Sequence, residues 1–319
     1  MTRVFLTGAS GFVGSALTKR LVARGDQVTA CVRTIPAAPV PGARYLTVDD
    51  RLEAPGLPEA LAQSDVVVHL VARTHSADLA DPAALDLYRR INVDMTRALA
   101  RKCLEAGVRR FVFLSSVKVH GERSDARGFR EDDVPGPEDV YGQTKLEAEQ
   151  ALAQETSGTT LAYTIVRPPL VYGPGVKANF LRMIRAIDRG LPLPLASVRN
   201  ARSLVGLGNL CDFIVTVMEH PAARGEAFLV SDRERPSTPQ LLRAIGTALG
   251  RPARLMPVPP AVLAAAARLL GRQGELQRLT GTLVVDTSKA ARVLGWRAPY
   301  SLDGQLREAI DDYRRHARP

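Results

Sequence analysis

The sequence predicts an α/β fold in which a doubly wound parallel sheet is followed by a smaller, mostly helical C-terminal lobe. Three observations lead to this fold class. Apolar runs typical of strands alternate with helix-like segments over the first half of the chain, a glycine-rich loop follows the first run, and the alternation stops near Pro168. Because the runs are apolar throughout, they indicate parallel strands that are buried by helices on both faces of the sheet.

Strands in the first half are predicted at six apolar runs, in the order RVFLTG, QVTACVR, ARYLTV, DVVVHLV, RRFVFLSS and AYTIVRP. The segment GFVGSALTKRLVARG has the periodicity of a helix and ends in glycine, a common residue just past a helix. Further helices are predicted over residues 82–106 and 140–156, each between two of these strands. Helical crossovers between parallel strands complete the doubly wound pattern.

The second half of the chain predicts the helical lobe. Helical periodicity recurs near residues 179–189, 208–219, 238–249, 260–270, 287–294 and 301–316, with short strands such as EAFLVS between them. We therefore divide the chain into residues 1–168, with a returning segment near 203–232, and residues 169–319. Such a lobe covers the carboxyl ends of the parallel strands, where sheets of this kind bind ligands.

Composition and charge argue against several classes of function. The net charge is +10, but there is no run of five or more Lys and Arg residues, so we expect no nucleic-acid partner. Cys31, Cys103 and Cys211 are odd in number and far apart, which argues against a disulfide framework or a zinc site and predicts a cytoplasmic protein without a metal. The first residues enter a strand at once, so we expect no signal peptide.

No apolar run in the sequence approaches the roughly 20 residues that a membrane span needs. The longest candidate, VPPAVLAAAARLLG, is too short and contains Arg268. We predict that this segment forms an amphipathic helix packed on the protein, with a helix lying on a membrane surface as the alternative.

The loop after the first strand is typical of a dinucleotide site. It has the spacing G-x-x-G-x-x-G, and its residues with the start of the next helix are Thr7, Gly8, Gly11, Phe12, Val13 and Gly14. Glycine allows the tight turn, lets the backbone approach a pyrophosphate at the helix N-terminus, and permits close helix–strand packing. Residues 1–168 are therefore predicted to form a Rossmann-type dinucleotide-binding domain.

A tyrosine and a lysine on one helix face predict acid–base chemistry. Tyr141 and Lys145 are four residues apart at the start of the helix predicted over 140–156. A neighbouring ammonium favours tyrosinate and brings the tyrosine pKa towards the working range. Ser115 and Ser116 end the fifth strand, at the carboxyl edge of the sheet, where a hydroxyl can hold a substrate oxygen.

With these residues, the sequence resembles the extended short-chain dehydrogenase/reductase family and, within it, the nucleotide-sugar epimerase/dehydratase branch. The matching motifs are TGASGFVG, VVVHLVA, INVDMTRALARKCLEAGVRRFVFLSS and YGQTK, and the likeness extends over nearly the whole chain. The resemblance implies that Ser116, Tyr141 and Lys145 are catalytic. The cofactor contacts that it implies outside the glycine loop are Leu70, Ala72, Tyr141, Lys145 and Pro168.

The same resemblance implies a UDP-sugar substrate. Asn179 and Arg202 stand where the family contacts the nucleotide diphosphate, and a guanidinium pairs well with phosphate. His120 stands where many relatives have Tyr, and it either orients a sugar hydroxyl or packs in the interior. Arg278 is a candidate substitute for a further family arginine, and the family makes a homodimer an option.

Departures from the family pattern guide the expected reaction. Val117 and Lys118 stand where sugar dehydratases carry Asp and Glu, and Leu170 stands where epimerases often have Asn. Arg33 ends the second strand, where NAD-binding members carry an acid that accepts from the ribose 2′-hydroxyl, and arginine suits a 2′-phosphate. NADP(H) is therefore the favoured cofactor and NAD(H) the alternative, with Asp50 as a further adenine contact.

An exchangeable NADPH suits a reductase. The expected reaction is NADPH-dependent reduction of the C4 ketone of a UDP-linked 6-deoxy-N-acetylhexosamine, in bacterial surface-polysaccharide synthesis. One alternative is a UDP-sugar 4-epimerase, which uses the same residues for transient oxidation and return. The other is a sensor that binds NADP(H) without turnover, and the presence of both Tyr141 and Lys145 argues against it.

Overall fold

The computed structural model describes residues 1–49, 51–74 and 82–317. Its strands are β1 (Arg3–Thr7), β2 (Gln27–Val32), β3 (Arg44–Thr47), β4 (Val66–His69), β5 (Arg110–Leu114), β6 (Ala162–Arg167), β7 (Leu170–Tyr172), β8 (Leu204–Gly206) and β9 (Glu226–Leu229). Seven of them form a parallel sheet in the order β3-β2-β1-β4-β5-β6-β9, and β7 pairs with β8 in a second, two-stranded sheet. The predicted doubly wound sheet is therefore confirmed, with its strand order reversing between β1 and β4.

The helices are α1 (Phe12–Ala23), α2 (Leu57–Ala62), α3 (Pro82–Arg89), α4 (Met95–Glu105), α5 (Val140–Thr156), α6 (Ala178–Asp188), α7 (Leu207–Glu219), α8 (Thr238–Ala248), α9 (Pro260–Leu269), α10 (Gln273–Thr280), α11 (Ser288–Leu294) and α12 (Leu302–Ala317). A π-helical turn, Arg90–Asp94, separates α3 from α4 within the helix predicted over 82–106. The sequence pattern does not predict α2 or α10. The first is six residues long and the second is mostly polar, so neither presents a helical apolar stripe.

Alternate residues of the main sheet supply two separate cores. Val4 and Leu6 of β1 are buried with side chains of α1 and α7, whereas Phe5 between them is buried with side chains of α2, α4 and α5. Successive strand residues point to opposite faces of a sheet, so a strand that is covered on both faces is apolar at every position. This burial explains the uninterrupted apolar runs of the sequence.

A third core holds the C-terminal lobe together. It buries Tyr172 of β7, Phe180 of α6, Ile245 of α8 and Ile310 of α12. The chain enters this lobe directly after the carboxyl end of β6, and β9 later returns to the main sheet, where it pairs in parallel with β6. Among the residues described, no helix combines the length and apolarity that crossing a bilayer requires.

Candidate active site

The glycine loop forms a tight cradle between β1 and α1. Gly8 has a φ of +70°, and a Cβ there would lie 3.1 Å from the carbonyl carbon of Leu70. A Cβ on Gly14 would lie 2.1 Å from the carbonyl oxygen of Gly8, so a larger residue does not fit. The Gly11 N–H donates to that same carbonyl (2.9 Å), and no side chain of the described residues caps the N-terminus of α1. The remaining N–H groups of the first turn are donors of the kind that a pyrophosphate accepts.

The other residues predicted for the cofactor lie along the same edge of the sheet. Phe12, Val13 and Leu70 pack their side chains against the core shared by α1 and α7. Ala72 is half-buried just after β4, and the Pro168 carbonyl accepts from the Val117 N–H (2.9 Å). The side chains of all five residues are apolar, so the polar groups that they present are backbone N–H and C=O groups.

Thr7, the last residue of β1, forms buried polar contacts directly before the glycine loop. Its hydroxyl is buried 2.6 Å from Nδ1 of His69, whose Nε2 lies 3.1 Å from the Thr96 hydroxyl. Burial, and secondly the charge of Lys145, lower the pKa of His69 to about 3, so the imidazole stays neutral. The sequence patterns did not predict this series of buried polar contacts, although a histidine inside the apolar run VVVHLV is a signal that could have indicated it.

The end of β2 borders a polar cavity beside the glycine loop. The cavity has a volume of about 460 Å³ and is lined by Ser10, Arg33, Thr34, Val48 and Asp49. Arg33 is exposed there, one residue past the end of β2. In doubly wound folds the adenine-side ribose lies beside the end of the second strand. Asp50, the further predicted adenine contact, lies outside the described residues.

A buried amide connects the end of β4 to the helix α5. Asn92, in the π-helical turn, accepts from the Arg73 N–H (2.8 Å) and donates to the Thr144 hydroxyl (2.9 Å). π-helical turns inside helices are frequently found at functional sites. Thr144 precedes Lys145, so Asn92 holds the start of α5 in position relative to the edge of the sheet.

Ser116 and Tyr141 meet at the carboxyl edge of the sheet. Ser116 follows β5, and Tyr141 lies in the first turn of α5, which is capped by the Asp139 carboxylate accepting from the Gly142 N–H (2.7 Å). Burial raises the pKa of Tyr141, and its hydrogen bond with Ser116 acts in the opposite direction. Ser115 makes no such bond: its hydroxyl is buried with no hydrogen-bond partner among the described residues. Of the two serines, the structure therefore brings Ser116 to the tyrosine.

Lys145 is fully buried one helical turn after Tyr141. Its Nζ has no hydrogen-bond partner among the described residues and lies 3.9 Å from the ring centroid of Phe113. Burial lowers the pKa of this ammonium to about 7, although the nearby carboxylate of Glu149 acts against the shift. A buried, unpaired ammonium is costly unless a partner accepts its hydrogen bonds. The unpaired ammonium of Lys145 and the glycine cradle together fit a dinucleotide whose ribose hydroxyls accept hydrogen bonds from the lysine.

His120 belongs to a buried polar cluster behind α5. Its Nε2 lies 2.9 Å from a guanidinium nitrogen of Arg167, and its ring stacks on Phe129 at 5.4 Å. Arg167 also forms a two-point ion pair with Glu149, at 3.0 and 2.6 Å. Burial and the charge of Arg167 lower the pKa of His120 to about 4. These contacts favour the interior packing role over a sugar contact, and neither Arg167 nor Glu149 stood out in the sequence.

The residues predicted for the substrate, other than Ser116 and His120, lie in the C-terminal lobe. Arg202 is half-buried and donates to the Gly281 carbonyl (3.1 Å), and burial lowers its pKa while the charge of Glu122 opposes the shift. Arg278 lies 3.8 Å from a carboxylate oxygen of the same Glu122. Asn179 accepts from Arg182 in the first turn of α6, and no described contact joins it to this cluster. Arg278 thus lies beside Glu122, whose charge also acts on Arg202, and no described contact brings Asn179 to either arginine.

Known proteins resemble the chain along almost its whole length. Residues 4–231 match the model of the NAD dependent epimerase/dehydratase family. A UDP-glucose 4-epimerase from Vibrio cholerae is 39% identical over 97% of this chain and 95% of its own. An N-acetyl-alpha-D-glucosaminyl-diphospho-ditrans,octacis-undecaprenol 4-epimerase from Escherichia coli O157:H7 is 26% identical over 95% of this chain and 92% of its own. The structure of MoeE5 in complex with UDP-glucose and NAD matches with a TM-score of 0.76 at 26% identity, covering 99% of each chain.

Proposed function

The chain belongs to the NAD-dependent epimerase/dehydratase family, and from that premise we propose that it interconverts the C4 epimers of a UDP-linked hexose. The observation that carries the proposal is the 39% identity to a UDP-glucose 4-epimerase over 97% of this chain. This reverses the order expected from the sequence, in which the reductase came first, because that order depended on Arg33 alone. The division into a dinucleotide domain, residues 1–168 with a returning segment near 203–232, and a sugar-binding lobe, residues 169–319, is part of the proposal.

The chemistry follows from the positions of three side chains. The redox step that a bound nicotinamide supplies is acceptance of a hydride from C4 and its return to the opposite face of the ketone. Tyr141 takes the proton of the C4 hydroxyl during oxidation and gives it back during reduction. Ser116, hydrogen-bonded to Tyr141, holds the C4 oxygen, and a charged Lys145 favours the tyrosinate that the first transfer needs. The same residues therefore act in both directions.

Dehydration is disfavoured by the residues beside Ser116. Lys118 Nζ lies 2.7 Å from Glu122 and also contacts Asp139. Burial acts against the charge, but the hydrogen bonds to Asp139 and Glu122 outweigh it and raise the pKa of Lys118. An ammonium held in this way does not abstract a proton, and Val117 carries no titratable group. Neither position supplies the acid and base that removal of water from a sugar requires.

The proposal is tested by incubating the purified protein with UDP-glucose or UDP-N-acetylglucosamine and separating the nucleotide sugars. We expect each to be converted to an equilibrium mixture with its C4 epimer, with no net change in nicotinamide absorbance. Stoichiometric consumption of NADPH with a UDP-4-keto-6-deoxy-N-acetylhexosamine, without epimerisation, would instead establish the reductase. Binding of a nicotinamide dinucleotide with neither reaction would identify a sensor.

The reductase remains a second candidate because Arg33 lines the cavity at the end of β2. The structural relative MoeE5 is described with NAD, which supports a nicotinamide dinucleotide but not a preference for the 2′-phosphate. A charge-assisted contact to phosphate is worth about 1.5–3 kcal/mol, or roughly tenfold to a hundredfold in affinity. If Arg33 selects NADP(H), Arg33→Ala should weaken NADPH binding by at least about tenfold and leave NADH binding nearly unchanged.

Calorimetric titration of the wild type and Arg33→Ala with each cofactor measures that difference. Arg199→Ala, a change of charge in the C-terminal lobe, controls for a non-specific loss of positive potential. Equal losses for both cofactors would remove the argument for a 2′-phosphate contact and with it the basis of the second candidate.

A further inference from the structure

The helix α9 presents an apolar face to solvent. Val262 is 54% exposed, Leu269 is 87% exposed and the adjoining Leu270 is 70% exposed. Ala265 and Ala266 are also exposed, and their spacing of three and four residues from Val262 and Leu269 places all four on one side of the helix. The outward side of a surface helix is ordinarily polar, so this face is unusual for a helix that only covers a core.

The opposite side of α9 already has its partners. Leu263 packs against the core of the C-terminal lobe, and Ala267 is 8% exposed. The orientation of the helix is therefore set by its inner side, and the outward apolar residues are not needed for packing within the lobe. The sequence expectation of a helix packed on the protein accounts for one side of α9 only.

The segment of the chain that contains α9 is rich in positive charge. Residues 251–278 contain five Arg residues and a single acidic residue, Glu275. Arg268, in the last turn of α9, and Arg272, just beyond it, are exposed and form no ion pair within the described part of the chain. An apolar helix face beside unpaired arginines is the pattern of helices that lie in the plane of an anionic lipid surface.

We propose that α9 docks the protein on an anionic membrane surface, with Val262, Leu269 and Leu270 entering the headgroup boundary and Arg268 and Arg272 facing lipid phosphates. Burial of the three apolar side chains and attraction of the two arginines to anionic lipid act together, because neither contribution alone gives firm attachment to a membrane.

A second copy of the chain is a poorer occupant of this face. In a two-fold dimer the same patch meets itself, so Arg268 and Arg272 of both copies would approach each other without an acidic residue of α9 to pair with. A stable interface also buries about 800 Å² on each partner, whereas α9 has ten residues and offers few large apolar side chains.

Docking by α9 would hold the candidate sugar site close to the membrane. α10 follows α9 after a short connection, and the Gly281 carbonyl at its end accepts from Arg202 (3.1 Å). In α10 itself, Arg278 lies 3.8 Å from Glu122. The face proposed to bind lipid is thus attached to the elements that border the substrate side of the lobe.

Co-sedimentation of the full-length protein with lipid vesicles tests the proposal. Vesicles of phosphatidylcholine with about a third phosphatidylglycerol should bind the protein at least about tenfold more strongly than phosphatidylcholine alone, and added salt should weaken that binding. Leu269→Ser/Leu270→Ser and Arg268→Gln/Arg272→Gln should each reduce binding by about tenfold or more. Val134→Ser removes an apolar side chain that is 89% exposed elsewhere on the surface and should leave binding unchanged.

Unfolding temperatures and sugar-converting activity of the variants, measured without vesicles, should match those of the wild type. This match would show that the substitutions act on lipid binding and not on folding. Vesicle binding that is absent, insensitive to the two double substitutions or equally sensitive to Val134→Ser would overturn the proposal. Loss of a dimer in Leu269→Ser/Leu270→Ser, seen by light scattering, would overturn it in favour of a subunit interface. Because the readout is lipid binding, its outcome is independent of which sugar reaction the protein performs.

Discussion

Replacing Tyr141 by Phe should lower turnover by about 10²–10⁴-fold while the Michaelis constant for the UDP-sugar changes little. The substitution removes one hydroxyl from the first turn of α5, and with it the group that we propose to move the C4 proton in both directions. The hydroxyl of Ser116 is assigned to holding the C4 oxygen and does not replace that of Tyr141 in the proposed proton transfer. Initial rates of epimerisation with both UDP-hexoses measure the effect.

Tyr163→Phe is a matched control, because Tyr163 packs against the second core of the sheet and lies away from Ser116. It should retain nearly full activity, and both variants should bind the dinucleotide as the wild type does. A Tyr141→Phe protein with more than about a tenth of wild-type turnover would show that another group performs the proton transfer.

Replacing Lys145 by Met should stabilise the protein freed of nucleotide at neutral pH while reducing its activity. The unfolded chain keeps the lysine charged up to its ordinary pKa of 10.5, whereas burial lowers the pKa to about 7 in the folded protein. Between these two values the unfolded state binds more protons, so stability rises with pH across this window. Below about pH 7 the whole penalty is present, on the order of 5 kcal/mol for a shift of this size.

Methionine has a similar length and no charge to bury, so the variant lacks this pH dependence. Its advantage in the free energy of unfolding should be greatest at about pH 6–7 and should shrink towards about pH 10. The ion pair between Glu149 and Arg167 remains after the substitution, so Glu149 is not left without a partner. Denaturant unfolding across this pH range measures the difference between the two proteins.

Lys19→Met, at an exposed position of α1, is the control for removing a lysine without relieving burial. It should follow the wild-type stability profile closely. A Lys145→Met curve that runs parallel to the wild type from about pH 6 to about pH 10 would contradict a buried, unpaired lysine in the free protein. Added dinucleotide should stabilise the wild type more than the variant, because only the wild type can donate to the ribose hydroxyls.

Most of the fold follows from short-range patterns in the sequence. The parallel strands are identified by uninterrupted apolar runs, and α1 and α5 by their periodicity and their bounding residues. The glycine spacing identifies a dinucleotide loop because steric fit at Gly14 admits no side chain. The candidate catalytic residues are also visible, since a Tyr and a Lys four apart share a helix face whatever surrounds them.

Contacts between residues that are far apart in the sequence could not be predicted from these local patterns. His69 joins Thr7 across 62 residues, and the ion pair of Glu149 with Arg167 spans α5 and β6. Short or polar helices such as α2 and α10 lack a periodic signal. The proposal of an epimerase over a reductase rests on the relatives, whereas the sequence offered only Arg33 to separate the two reactions. The sequence by itself determined the order of the main strands and helices and the candidate reactive side chains, because periodicity and turn chemistry are local. Only the tertiary structure decided which of them are buried, paired or left without a partner, because burial and pKa depend on neighbours that folding brings together.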